Sequence, residues 1–108
     1  MTGTVEFGDV YIGVFPFTSG QGGKARPVLV LMDLGADCLV CRITSVAHRG
    51  FLDLSVNRWQ DAGLDKPSTI RLSRLVTVEK EVLKLRIGRL SAEDVRRVRT
   101  LWNEKFHL

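Results

Sequence analysis

Short apolar runs that alternate with polar residues, or run unbroken between turn-forming clusters, recur through most of this chain and limit its fold more than any other feature. Val10, Ile12 and Val14 alternate between Asp9 and Phe15, the period of a strand with one face buried. Val28 to Met32 and Cys38 to Ile43 are apolar runs on either side of Asp33-Leu34-Gly35-Ala36-Asp37, whose Asp and Gly residues suit a turn, so they predict a hairpin buried on both faces. Phe51 to Val56 is a shorter strand. Asn57 to Lys66 contains Trp59-Gln60-Asp61-Ala62-Gly63, which fits one helical turn ended by glycine, and Pro67 returns the chain to extended backbone. Ser68 to Val78 alternates through Ile70 and Leu72 and slips phase near Ser73-Arg74, which marks a bulge or bend. Val82 to Leu90 is the last strand.

Only after Ser91 does the period become helical. Ser91 as N-cap with Asp94 three residues on predicts a capping box, and Leu90 and Val95 are placed for a hydrophobic staple. Val95, Val98, Leu101, Trp102 and Phe106 share one helical face, with Arg96, Arg97, Asn103 and Glu104 on the other. The pattern predicts a mainly β single domain over residues 1–108: a small SH3-like β-barrel of about five to seven strands with a C-terminal α-helix.

At 108 residues there is room for one real core and little more. No stretch approaches the roughly 18 uninterrupted apolar residues of a membrane span, so the expectation is no membrane. Met1 leads directly into domain-like sequence without a basic and then apolar leader, which makes cytoplasmic residence the expectation. Cys38 and Cys41 have a Cys-x-x-Cys spacing, but residues three apart on a strand point to opposite faces, and the only histidines are His48 and His107. The cysteines read as core hydrophobes, with no metal site and no cofactor expected. Net charge is +4, unevenly spread: residues 1–65 hold five Lys/Arg against seven Asp/Glu, and residues 66–108 hold eleven against five. Such a basic half suits a polyanion, whether nucleic acid or an acidic protein.

Two segments point to chemistry. Pro16 to Ala25 is a long loop with Gly20, Gly22 and Gly23, and it delivers Lys24-Ala25-Arg26-Pro27 to the mouth of an apolar strand. About a dozen residues after that strand, Arg42-Ile43-Thr44-Ser45 ends another apolar run. If the two runs pair, the Arg26 guanidinium and the Thr44 hydroxyl emerge near one rim of the sheet. On its own Arg26 reads equally as a phosphate ligand or a loop anchor, and Thr44 as a donor or a strand-filling β-branched residue.

With Gly8-Asp9-Val10 and Ile87-Gly88-Arg89-Leu90-Ser91, these segments resemble the PemK/MazF family of toxin ribonucleases over nearly the whole chain. The resemblance implies an SH3-like barrel, and a metal-independent endoribonuclease that cleaves single-stranded mRNA through attack of the ribose 2′-hydroxyl. It also implies a homodimer with the substrate groove across the two-fold axis, and a cognate acidic antitoxin as partner. It assigns catalysis to Arg26 and Thr44, and to Arg71 as in some relatives. Phe17, Gln21, Lys24, Ser45, His48 and Ser73 become candidates for substrate binding. His48 reads either as a proton shuttle or as a solvated loop residue, and Phe17 either as a platform for a base or as core. Two positions depart from the family pattern: Ser73 stands where some relatives carry Asp, and Gly20 or Gln21 where many carry Glu, which leaves the general base unassigned. A non-enzymatic alternative is a toxin of the same fold acting on a protein such as gyrase, as CcdB does, or binding RNA without cutting it.

Overall fold

The computed structural model describes residues 3–15 and 24–108. Six strands form one antiparallel sheet: β1 Asp9–Phe15, β2 Lys24–Asp33, β3 Asp37–Thr44, β4 Asp53–Ser55, β5 Thr69–Glu79 and β6 Leu83–Arg89, in the order β4-β5-β3-β2-β1-β6. One helix follows, α1 Ala92–Lys105. The fold is the mainly β one expected, with six strands and the C-terminal helix.

Alternation sorts the side chains into two layers. On the helix side, Val10, Leu29, Cys41, Ile43, Ile70, Leu72 and Val98 form one core, against which Trp59, Leu75, Leu101 and Trp102 pack. On the other side, Tyr11, Val28, Val30, Cys38, Val40, Val78 and Leu83 form a second, closed over by Val5 and Val82. Cys38 and Cys41 are both fully buried, one in each layer. Burial pushes the Cys38 thiol up to about 11 and the Cys41 thiol higher still.

The expected phase slip in β5 is a bulge that absorbs Leu72, Ser73 and Arg74: Cys41 pairs with Leu75, but the next residue, Arg42, pairs with Arg71. The segment expected to make a helical turn instead forms successive hydrogen-bonded turns, with the Trp59 carbonyl accepting from the Ala62 and Leu64 amides. Those turns join β4 to β5, against which it pairs at one edge of the sheet. Gly63 has φ +82°, and a Cβ there would collide with the Ile87 carbonyl oxygen; one at Gly88 would meet the Ala62 carbonyl. Backbone thus packs on backbone, and the two edges of the sheet approach through this contact.

The N-cap of α1 forms half as expected. Ser91 Oγ accepts from the Asp94 amide at 3.1 Å, but the Asp94 carboxylate does not fold back to complete the box. It accepts instead from the Asn57 amide at 3.3 Å, the Arg58 amide at 2.9 Å and Arg97 Nη1 at 2.7 Å. Arg97 Nη1 also donates to the Ser55 carbonyl at 2.8 Å, which ties the helix to the end of β4. A local cap has become a tertiary knot.

Candidate functional site

The second face of the sheet is apolar at one end and charged at the other. Gly13 pairs with Arg26, Val28 with Arg42, Arg42 with Arg71, Arg71 with Asp53, and Thr44 with Thr69. Residues directly opposite in an antiparallel ladder share a face, as do residues two apart on one strand. Arg26, Arg42, Thr44, Thr69, Arg71 and Asp53 therefore lie on one surface, contributed by β2, β3, β5 and β4. Their neighbours Leu29, Cys41, Ile43, Ile70 and Leu72 face the helix-side core, and it is this burial that fixes which way the charged residues point.

Arg71 is held in place. Its Nε donates to Asp53 Oδ1 at 2.9 Å, with the Asp53 side chain only 3% exposed. Asp53 Oδ2 also accepts from the Gly50 amide at 2.7 Å. Burial pushes the Asp53 carboxyl up, but the bonds from Arg71 and Gly50 and the charges of Arg71 and His48 outweigh it and hold the group below the usual carboxylate range. Arg42 is exposed, and partial desolvation followed by the like charges of Arg26, Arg74 and Arg71 pulls its guanidinium below the ordinary value. Four guanidinium groups thus share one neighbourhood.

Thr44 is largely buried, and its Oγ1 accepts from the Val46 amide at 3.1 Å. That turn fixes the oxygen and leaves the hydroxyl proton to donate. Lys24 is exposed at the start of β2, two residues from Arg26 on the same face. Ser45 is exposed just past the end of β3, Ser73 is exposed within the β5 bulge, and His48 is half-buried in the connection to β4, close enough to Asp53 to influence it. Phe17 and Gln21 lie outside the described residues. Trp59 packs against the helix-side core.

Asp53, Arg42 and Arg74 carry no motif of their own in the sequence. Period two in Arg42-Ile43-Thr44 already puts Arg42 on the face of Thr44, so that signal was present. The union of Asp53 with Arg71 depends on strand register, which no local pattern carries. Asp9, at the opposite edge of the sheet, accepts from Arg89 Nη1 at 3.1 Å, Arg86 Nη2 at 3.3 Å and the Glu6 amide at 3.0 Å, a position that braces the β1–β6 edge. A cavity of about 200 Å³ on the helix side is lined by Phe7, Leu31, Met32, Leu39, Val98, Arg99 and Trp102. Arg99 is its one charged group, and the guanidinium lies 5.4 Å from the Phe7 ring centroid. The groups suited to phosphate chemistry are on the opposite face.

The family model for the PemK-like, MazF-like toxin of type II toxin-antitoxin systems matches residues 6–104. No curated protein matches the chain. Among solved structures, an endoribonuclease from a mycobacterial species superposes with TM-score 0.75 at 16% identity, over 96% of this chain and 92% of that one. The Mycobacterium tuberculosis toxin MazF-mt6 superposes with TM-score 0.72 at 23% identity, over 88% and 93%. A mycobacterial endoribonuclease in complex with its cognate antitoxin gives TM-score 0.74 at 18% identity, over 94% and 93%. Likeness at these identities establishes the shared fold.

Proposed function

This chain belongs to the PemK-like, MazF-like toxins of type II toxin-antitoxin systems, and on that premise we propose that it is a sequence-specific, metal-independent endoribonuclease acting on single-stranded mRNA in the cytoplasm. The observation that carries the reading is the convergence of Arg26, Arg71 and Thr44, from β2, β5 and β3, on one face of the sheet. Attack of a ribose 2′-oxygen on the adjacent phosphorus builds negative charge on the phosphoryl oxygens. Arg26 supplies the compensating charge, Arg71 a second guanidinium oriented by Asp53, and Thr44 a hydroxyl donor. The products are a 2′,3′-cyclic phosphate and a 5′-hydroxyl.

The base is not among the arginines, since a guanidinium has no acceptor for a proton, and the neutral Ser73 hydroxyl is too weakly basic to be a useful one. Proton transfer through water, with charge stabilisation providing most of the rate, fits these residues. Lys24, Ser45, His48 and Ser73 contact the rest of the RNA strand, and Phe17 and Gln21 are the further candidates for substrate binding. The toxin acts as a homodimer with the groove across the two-fold axis, and the acidic segment of its antitoxin occupies the groove by charge complementarity.

Incubation of the purified toxin with RNA in EDTA tests this directly. Cleavage should persist, the 3′ ends should be cyclic phosphates, and a substrate with a single 2′-deoxyribose at the scissile position should bind and stay whole. Normal cleavage of the deoxy substrate would refute the mechanism.

A further inference from the structure

Arg42 and Arg71 are directly opposite each other in the β3–β5 ladder, and like charges in that relation destabilise a sheet. Asp53 offsets Arg71 through a bond to Nε. Among the described residues neither Arg42 nor Arg74 forms an ion pair, and both are exposed. The bulge at Leu72 to Arg74 adds to the crowding, because it keeps Arg74 within electrostatic reach of Arg42. A protein surface that concentrates positive charge and neutralises only one member of the group is built for an anion from outside.

We propose that Arg42 and Arg74 form a second phosphate-binding step of the same groove, beside Arg26 and Arg71, so that the face grips two successive phosphates of one single strand. The proposal rests on the reading of this face as an RNA site. A nucleic-acid strand is favoured over an acidic peptide because its charges come in an unbroken line at a regular repeat. Arg42 and Arg71 likewise share one rung on neighbouring strands about 4.8 Å apart, Arg26 rises from β2 two residues beyond Val28, the partner of Arg42, and the hydroxyl-bearing pair Thr44–Thr69 lies two residues along β3 and β5 as a neutral polar floor. Arg42 lies on β3 between the strands that carry Arg26 and Arg71, two residues from Thr44, and Arg74 follows Arg71 along β5 on the side away from Thr69; these two extend the cationic face beyond the reacting phosphate to the adjacent one and set how firmly the strand is seated.

The test measures binding and cleavage separately. Fluorescence anisotropy with a random-sequence ten-nucleotide DNA strand, which has no 2′-hydroxyl, is run over a salt series for wild type, Arg42→Gln, Arg74→Gln and Arg42→Lys. Each Gln variant should bind about tenfold more weakly and lower the slope of log K against log salt by about 0.7; Arg42→Lys should keep the slope. In RNA cleavage the Gln variants should raise KM with kcat within about twofold. Arg42→Gln should melt at or above the wild-type temperature, since it relieves repulsion, so its defect is not one of folding. Unchanged affinity and slope in both Gln variants would overturn the proposal, as would weakened binding to polyglutamate alone, which would assign these residues to a protein partner. A wild-type chain that binds the strand with the expected slopes but cuts no RNA refutes the proposed activity and leaves this inference standing. Normal cleavage with KM unaltered in the Gln variants does the reverse.

Discussion

Asp94→Ala is expected to be among the most damaging substitutions in the chain, although Asp94 lies far along the sequence from every candidate site residue. Its side chain is fully buried, and it accepts from two backbone amides and from Arg97. Removing the carboxylate leaves the Asn57 and Arg58 amides without their acceptor, at about 1–3 kcal/mol for a buried unsatisfied group. It also breaks an ion pair whose cost, when fully buried, is about 3–5 kcal/mol. Arg97 is 30% exposed and keeps the Ser55 carbonyl as an acceptor, so the lower end applies to that part. The combined loss is about 4–6 kcal/mol, which for a domain of this size lowers Tm by roughly 16–30 °C. Asp94→Asn keeps one acceptor oxygen and should lose about half as much, and Ser91→Ala, which removes only the cap, about 1 kcal/mol. Urea unfolding followed by the fluorescence of Trp59 and Trp102, both packed on the affected core, reports these differences as midpoint shifts at constant m. An Asp94→Ala midpoint within 1 kcal/mol of wild type would refute the assignment of the knot as the clamp between α1 and β4.

Gly63→Ala forces a Cβ at positive φ into the Ile87 carbonyl and should cost about 3 kcal/mol in the same assay; a neutral effect would mean that the β4 and β6 edges are not held by this contact. Asp33 is paired with Lys80 at 2.8 Å, and that bond, with those from the Gly35 and Val5 amides, lowers its carboxyl to about 2. Because the folded-state value is depressed, its stabilisation is complete above the unfolded value of about 4 and is lost as pH falls toward 2. Asp33→Asn should therefore flatten acid unfolding in that window, and an unchanged profile would count against the pairing. Light scattering should give about 24 kDa, twice the 12.1 kDa chain mass, and a monomer at micromolar concentration would contradict the shared groove.

What the sequence revealed follows from where its signals are local. The bounds of β1 are legible because Val10, Ile12 and Val14 alternate without interruption. β2, by contrast, begins at Lys24, ahead of any apolar residue of the run, because Lys24 to Arg26 are held by pairing with Phe15 to Gly13, which no period marks. The β5 bulge shows as a phase slip, since its residues must still bury Leu72 and Leu75 on the same side. The Asp94 carboxylate went elsewhere than predicted because two amides of the segment after β4 compete for it, and that segment is 36 or 37 residues away. The same limit applies to the site. Arg26 and Thr44 could be placed on neighbouring strands from their runs, whereas the Asp53–Arg71 bond spans 18 residues and required the fold.

The central claim is that Arg26 stabilises charge that develops only as the phosphodiester reacts. Single-turnover cleavage by Arg26→Ala, with saturating protein and a single-site RNA, isolates that step from binding. For a preorganised donor the loss is about 3–4 kcal/mol, so the rate should fall by roughly two to three decades, with the variant still folded. Cleavage by folded Arg26→Ala at the wild-type rate would contradict the account.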